Sequence, residues 1–327
     1  MKDVAAEAAV SLKTVSRVVN GATNVDPELA DRVSRAIVRL GYRRNDVASS
    51  LRAGRSTSTI ALIIEDLANA FYSTIASAVA QVARERESLL LTSSLEENPE
   101  QEQKLILELC QRRVDGLLVV PAGSDHSYLR TEIEMGTPAV FLDRPPVGLA
   151  ADTVLIDNRG GARSAIEHLI GLGHERIGVL VDSPRIYTAR ERLEGVRHAF
   201  AASTVSLDER LIRSGLHDPD LAAQAVAAML DDDHPPTAFF CGNNRITIGT
   251  LTELIRRDTE AEVVGFDDFE SSALMPRRFT IVTYDNRELG LRGAELLFRR
   301  IDGNRAPPVR TVLPTRLETR GVGRAIR

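Results

Sequence analysis

Asp3-Val4-Ala5-Ala6-Glu7-Ala8-Ala9-Val10-Ser11-Leu12-Lys13-Thr14-Val15-Ser16-Arg17-Val18-Val19-Asn20-Gly21 begins the chain with two short amphipathic stretches broken at Val10-Ser11. Val4, Ala5 and Ala8, then Val15, Val18 and Val19, recur at helical spacing. Small Ala5 lets the first helix cross closely over Val15, Val10 plugs the turn, and Ser11 stands where a cap for the second helix is needed. This spacing predicts a helix-turn-helix. Gly21 is the expected stop of the second helix. Asp26-Pro27 then opens a third, with the Pro at the first position, where its missing N–H costs nothing. The second helix presents Ser11, Leu12, Lys13, Thr14, Ser16, Arg17 and Asn20 together. Polar side chains at a helix N-terminus can reach base edges in a major groove, and Arg17 is the candidate for a bidentate contact to guanine. A small helical bundle without a ligand is the competing reading, but it does not account for polar residues clustering on this one helix.

Outward from this stretch the charge divides sharply. The 327 residues carry a net charge of −5, yet residues 1–56 hold ten Lys and Arg against six Asp and Glu, leaving −9 for the other 271. That asymmetry fits a small polyanion-binding head on an acidic body. Apolar residues at 43% and charged residues at 27% exclude extended disorder, and a chain of this length leads one to expect two or three globular units. No run of eighteen apolar residues and no signal peptide is seen, so a cytoplasmic protein without a membrane partner is expected. Cys110 and Cys241 are expected to be buried thiols rather than a bridge or metal site.

From Thr59 onward the pattern changes. Apolar runs at Ile60–Ile64, Leu89–Thr92, Gly116–Val120, Ala139–Leu142, Ile177–Val181, Ala238–Cys241 and Val263–Phe266 alternate with amphipathic helical stretches. These read as βαβ units around parallel sheets, and about 270 residues suit two α/β lobes better than one. Asn69-Ala70-Phe71-Tyr72 follows the first strand and Asp143-Arg144 follows another. Ligands bind outside the carboxyl ends of parallel strands, so Asp143, Arg144, Asn243 and Asp267 are expected to converge in a cleft between the lobes. Asp157-Asn158 has a competing role as a helix cap, and His174 as a loop-ordering residue. Gly-rich phosphate loops, GxSxG elbows and HExxH pairs are all missing, so no enzyme, no catalytic residue, no metal and no cofactor is expected.

The string DVAxxAxVSxxTVSRVVNG resembles the DNA-binding head of the lactose-repressor (LacI/GalR) family of bacterial transcription regulators. Leu40-Gly41-Tyr42 followed by Asn45-Asp46-Val47-Ala48-Ser49-Ser50-Leu51 resembles the family's hinge. The resemblance implies that this segment becomes a helix on operator DNA, that Leu51, with Ala48 on the same face, enters the minor groove, and that Arg44 contacts the backbone. The body, from about residue 59 onward, resembles the family's effector domain, a relative of periplasmic sugar-binding proteins. Carried over residue by residue, Phe71 would stack on the effector and Arg190 would bind ring hydroxyls. Asn243 would bridge, and Asp267 would accept two hydroxyls; Asn69, Tyr72, Asp143 and Arg144 complete the expected site.

The expected fold is thus an all-α helix-turn-helix head plus an α/β two-lobed periplasmic-binding-protein-like (type I) effector domain. The expected divisions are a head at 1–42, a hinge at 43–56 and a body at 57–327. Within the body the first lobe would hold about 59–157 and 284–303, and the second about 158–283 and 304–327. The expected function is a homodimeric regulator, most simply a repressor, reading a pseudo-palindromic operator and switched by a monosaccharide or derivative. A sugar-binding receptor or sugar-modifying enzyme with an appended helical head is the alternative. No leucine heptads follow Thr319, so a dimer is expected rather than a tail-assembled tetramer. The sequence also departs from the family. Ala9 occupies the usual Gly or Asn position, the first helix is weakly capped, Asn244 stands where relatives mostly have Asp, and Thr283-Tyr284 replaces a common Gln contact. From the last two, either an unusual sugar effector or a site that has drifted is expected.

Overall fold

Val4 and Val15 are wholly buried at the centre of the first of two units, Met1–Thr57, and with Ala8, Val33 and Ala36 make up its core. The computed structural model describes residues 1–19, 22, 24–42 and 57–323. Expectations placed on Asn20, Gly21, Arg44, Ala48 and Leu51, and on the hinge at 43–56, lie outside the described residues. Among its described residues the unit holds three helices: α1 (Lys2–Glu7), α2 (Leu12–Val19) and α3 (Pro27–Leu40). Ser11 caps α2, its Oγ accepting from Thr14 N at 3.1 Å, and Asp26 caps α3 through Glu28 N and Leu29 N. Gly41, at φ 57°, closes α3 in the left-handed conformation that glycine adopts without steric cost.

The turn between α1 and α2 carries strain. Ala9 sits at φ 50°, a conformation that costs an L-residue on the order of 1 kcal/mol. It is held there from α3, where the Arg32 guanidinium donates to Ala8 O at 2.6 Å and Ala9 O at 3.3 Å and so covers the carbonyl end of α1. At the other end of α1, Met1 supplies no side-chain cap.

The second unit, Ser58–Arg327, holds two six-stranded sheets. The first contains β1 (Thr59–Ile64), β2 (Leu89–Ser94), β3 (Gly116–Val119), β4 (Ala139–Leu142), β5 (Asp152–Ile156) and β11 (Arg310–Leu313), in the order β11-β5-β4-β3-β1-β2. All its pairings are parallel. It is covered by α4 (Ala70–Glu85), α5 (Pro99–Gln111), α6 (Leu129–Glu134) and α11 (Asn286–Ile301). The second contains β6 (Ile177–Leu180), β7 (Ile212–Arg213), β8 (Ala238–Cys241), β9 (Glu262–Phe266), β10 (Phe279–Thr283) and β12 (Arg316–Arg320), in the order β12-β10-β9-β8-β6-β7. Among the described residues of this sheet only β12 runs antiparallel, against β10. Its helices are α7 (Asn158–Gly171), α8 (Tyr187–Ala201), α9 (Pro219–Leu230) and α10 (Asn244–Arg256). Central strands such as β1 and β8 are buried on both faces, which is why they read as unbroken apolar runs.

The chain passes between the lobes after β5, after β10 and after β11. One expected boundary is therefore corrected: residues 304–313 belong to the first lobe, not the second. The cause is an ion pair at the start of β5. Asp152, nearly inaccessible, accepts from Arg300 at 2.6 and 2.9 Å and from Val309 N at 2.7 Å. The same guanidinium donates to Asn304 O, Ala306 O and Pro307 O, tying the loop down so that β11 pairs with β5. Both cysteines are buried and unbridged.

Ala9→Gly should raise the stability of the head by about 0.5–1 kcal/mol, the relief of φ > 0 partly offset by the freer unfolded chain. Thermal unfolding followed by circular dichroism checks this; an unchanged or lower midpoint would show that the turn is not strained.

Candidate functional site

The α8 sequence turns Thr188, Ala189, Arg192, Leu193 and Val196 inward at helical spacing. Gly195 lets α8 lie directly on α7, since a Cβ there would fall 2.3 Å from Arg159 O. This contact brings Arg192 to Asn158, whose Oδ1 accepts from Nε at 2.7 Å. The remaining guanidinium bonds run to Gly242 O at 2.6 Å and to both oxygens of Asp267 at 2.7 and 3.1 Å. Phe266 lies flat beneath, its ring centre 3.7 Å from the guanidinium carbon. Tyr284 donates its hydroxyl to Asp267 Oδ1 at 2.6 Å. Asp267 is thus locked in one orientation at the end of β9.

The first lobe repeats the arrangement. Asp143 directly follows β4 as Asp267 follows β9, with φ 66° and 67°, and each N–H bonds the next strand, to Val154 O and Val282 O. Asp tolerates this left-handed conformation better than most residues. Next to Asp143, buried Arg144 donates to Glu97 Oε2 at 2.8 Å, Pro121 O at 3.2 Å and Glu65 Oε2 at 3.3 Å. Tyr72 donates to Glu65 Oε2 at 2.7 Å. Burial, then the neighbouring Glu97, pushes the Glu65 carboxyl up to about 7. Glu97 is held low, because Arg144 outweighs the effect of burial on it.

Between the lobes these groups line a cavity of about 60 Å³ that opens to solvent. Two contacts hold the lobes together across it. Asn244 Nδ2 donates to Asn69 Oδ1 at 2.9 Å, and Arg245 pairs with Asp66. Asn69 and Asn243 also cap α4 and α10, so the cleft walls are two helix N-termini fixed by their own side chains.

Seven of the eight expected effector residues line the cavity: Asn69, Phe71, Tyr72, Asp143, Arg144, Asn243 and Asp267. Phe71 is wedged edge-on against Tyr72, 4.7 Å between ring centres, and Tyr284, at 6.2 Å. Arg190 is the exception and is corrected here. It is exposed, its guanidinium 5.5 Å over the Tyr187 ring, and the inward guanidinium belongs to Arg192. The two stand two positions apart on α8, opposite in direction, and the buried spacing Ala189, Arg192, Leu193, Val196 was the signal that distinguishes them. Of the two residues with competing roles, Asp157 caps α7 and Asn158 orients Arg192. Glu65, Asp182, Thr188 and His217 also line the cavity without having been singled out. His174 bonds Thr237 Oγ1 at 2.9 Å and orders its loop.

On the head, Ser11, Leu12, Lys13 and Arg17 are exposed, and Thr14 and Ser16 half-buried, around the buried Val15. Ser11 is partly committed to its cap and to Thr14 Oγ1 at 2.9 Å. Among the described residues no cluster of His, Cys, Asp and Glu could hold a metal, and no helix is long and apolar enough to cross a membrane.

Residues 57–320 match the family described as periplasmic binding proteins and sugar binding domain of the LacI family, and residues 1–45 the bacterial regulatory proteins of the lacI family. The HTH-type transcriptional regulator CelR of Thermobifida fusca is 33% identical over 98% of this chain and 97% of its own. Catabolite control protein A of Priestia megaterium is 28% identical over 97% of each chain. The crystal structure of the lac repressor dimer bound to operator and the anti-inducer ONPF aligns with a TM-score of 0.80 at 27% identity, over 96% of each chain. A helix-turn-helix head on a two-lobed ligand-binding body defines a DNA-binding transcriptional regulator rather than an enzyme. The chain belongs to the LacI family of these regulators.

Because the Glu65 carboxyl is raised in the folded state, its contribution to stability is complete below about pH 4.5 and is lost as the pH rises through about 7. Glu65→Gln should therefore unfold later than the parent at pH 8, by about 1–3 kcal/mol, and lose that advantage at pH 5. Glu97, which titrates in the opposite sense, is present in both proteins. Melting curves separated equally at the two pH values would contradict this.

Proposed function

We propose that the protein is a repressor that binds a pseudo-palindromic operator as a dimer and releases or grips it according to a small sugar-like effector held between its lobes. It works in the cytoplasm, on the nucleoid. The observation that carries this is the Arg192–Asp267–Tyr284 group at the floor of the cleft. After accepting from Arg192 and Tyr284, the Asp267 carboxylate keeps lone pairs for hydroxyls, and its direction is already set. Phe71 supplies an apolar face for a ring, and Asn243 a further polar contact. The CelR–cellobiose structure and the operator-bound lac repressor dimer support a sugar ligand and a dimeric reader of DNA for this chain too.

At the DNA end, Lys13, Thr14, Ser16 and Arg17 offer donors on one face of α2, while Arg44 and the hinge would add backbone and minor-groove contacts. The three crossings between the lobes are the points about which they can change angle. An effector with different affinities for the two arrangements shifts the balance between them.

Arg17→Ala should cost about 1–3 kcal/mol on the operator and flatten the preference over random DNA, whereas Arg44→Ala should weaken both alike. Fluorescence anisotropy on the two duplexes distinguishes them; equal losses for Arg17→Ala would remove it from base reading. Asp267→Asn should leave operator affinity intact and abolish the effector's influence on it. An unchanged response would exclude Asp267 from the site.

A further inference from the structure

We propose that the effector is a cation: a hydroxylated ring bearing a protonated amine that sits between Glu65 and Asp143 of the first lobe and Asp182 of the second, with phosphorylated sugars shut out. This rests on the sugar-like reading of the cleft and narrows it. Four carboxylates line the cavity, Glu65, Asp143, Asp182 and Asp267, and Glu97 and Asp66 stand behind them on Arg144 and Arg245. Against these six stand three guanidiniums and the His217 imidazole, and Glu65 is raised to about 7, so with that carboxyl protonated and the imidazole neutral the cleft keeps a surplus of two negative charges.

The two most deeply buried guanidiniums are not free to take an anion. Arg192 spends its fork on Asp267 and its other donors on Asn158 and Gly242 O. Arg144 is divided among Glu97, Glu65, Pro121 O and Asp143, while the half-buried Arg245 gives one terminal amine to Asp66. A sugar phosphate would find neither of these two forks open and would add charge of the wrong sign to a cleft that is already net negative. The carboxylates, in contrast, are short of partners. The nearest cation to Asp143 is Arg144 Nε at 3.5 Å, and Asp182 forms no ion pair among the described residues, its Oδ1 accepting only from Ser183 N at 2.6 Å. Burial accordingly raises both Asp143 and Asp182, as it raises Glu65.

The carboxylates also come from opposite walls. Asp182 follows β6, while Glu65 and Asp143 follow β1 and β4, and Asp182 feels first His217 of its own lobe and then Glu97 and Arg144 of the facing lobe. Closing the cleft presses like charges together, and a cation between them turns that repulsion into attraction. A cationic ligand therefore favours the closed arrangement by more than its hydroxyl contacts alone supply.

The test uses the full chain and matched sets on several sugar frames, such as glucosamine, glucose and glucose 6-phosphate, titrated calorimetrically near pH 6.5, about where an amine stays protonated. The amine should bind at least about tenfold tighter than the neutral member, and the phosphate not at all. Asp182→Asn should remove most of the preference for the amine while keeping the neutral sugar's affinity within about threefold, and Asp182→Glu should retain the preference. Equal or tighter binding of the neutral or phosphorylated member, or an Asp182→Asn protein that keeps the preference, overturns the charge assignment and leaves the sugar reading standing. Failure of every frame to bind overturns both.

Discussion

A guanidinium buried as deeply as that of Arg192 must have its N–H groups answered by acceptors, and the second lobe is organised around that requirement. An uncompensated charge there would cost several kcal/mol, so each acceptor is structurally obligatory. Asn158 comes from the start of α7, Gly242 O from the end of β8, Asp267 from the end of β9, and the guanidinium itself from α8. Four separate elements are thereby held at one point, and that point is the floor of the cleft. The close α7–α8 contact at Gly195 and the strained backbone at Asp267 follow from the same demand, since each delivers a partner to within bonding distance. A ligand that touches Asp267 acts on a group whose position the whole lobe determines, which is how a small molecule can bias a large rearrangement.

Those parts of the fold whose residues announce their own burial were legible in the sequence. The runs at 60–64, 116–120 and 238–241 are buried on both faces and can be little else than central parallel strands. Strands that depend on a distant partner were not legible. β5 begins with Asp152, a residue that argues against a strand until Arg300 is brought to it from 148 positions away. β11 and β12 are edge strands studded with Arg310, Arg316, Glu318 and Arg320, whose pattern reads as loop. Misplacing 304–313 in the second lobe is a consequence of not seeing β11.

The site shows the same division. Residues at the carboxyl ends of strands, Asp143, Asn243 and Asp267, follow from topology alone. The difference between Arg190 and Arg192 is rotational and is settled only by which face of α8 meets α7. Ala9 shows that a departure from a motif need not be a departure from its geometry: the turn keeps its left-handed residue, and Arg32 reaches across from α3 to hold the carbonyls on either side of it.

Asn244 is the departure with the most to say about the cleft. The family resemblance leads one to expect Asp there, yet the group facing it is Asn69 Oδ1, already turned outward because it caps Phe71 N at 3.1 Å. A carboxylate at 244 would set acceptor against acceptor, whereas the amide supplies the donor that closes the contact. The same substitution withholds one more negative charge from a cleft that already carries a surplus. Closure without repulsion at this edge, and with repulsion at the centre, leaves the choice between open and closed lobes to whatever occupies the space between Glu65, Asp143 and Asp182.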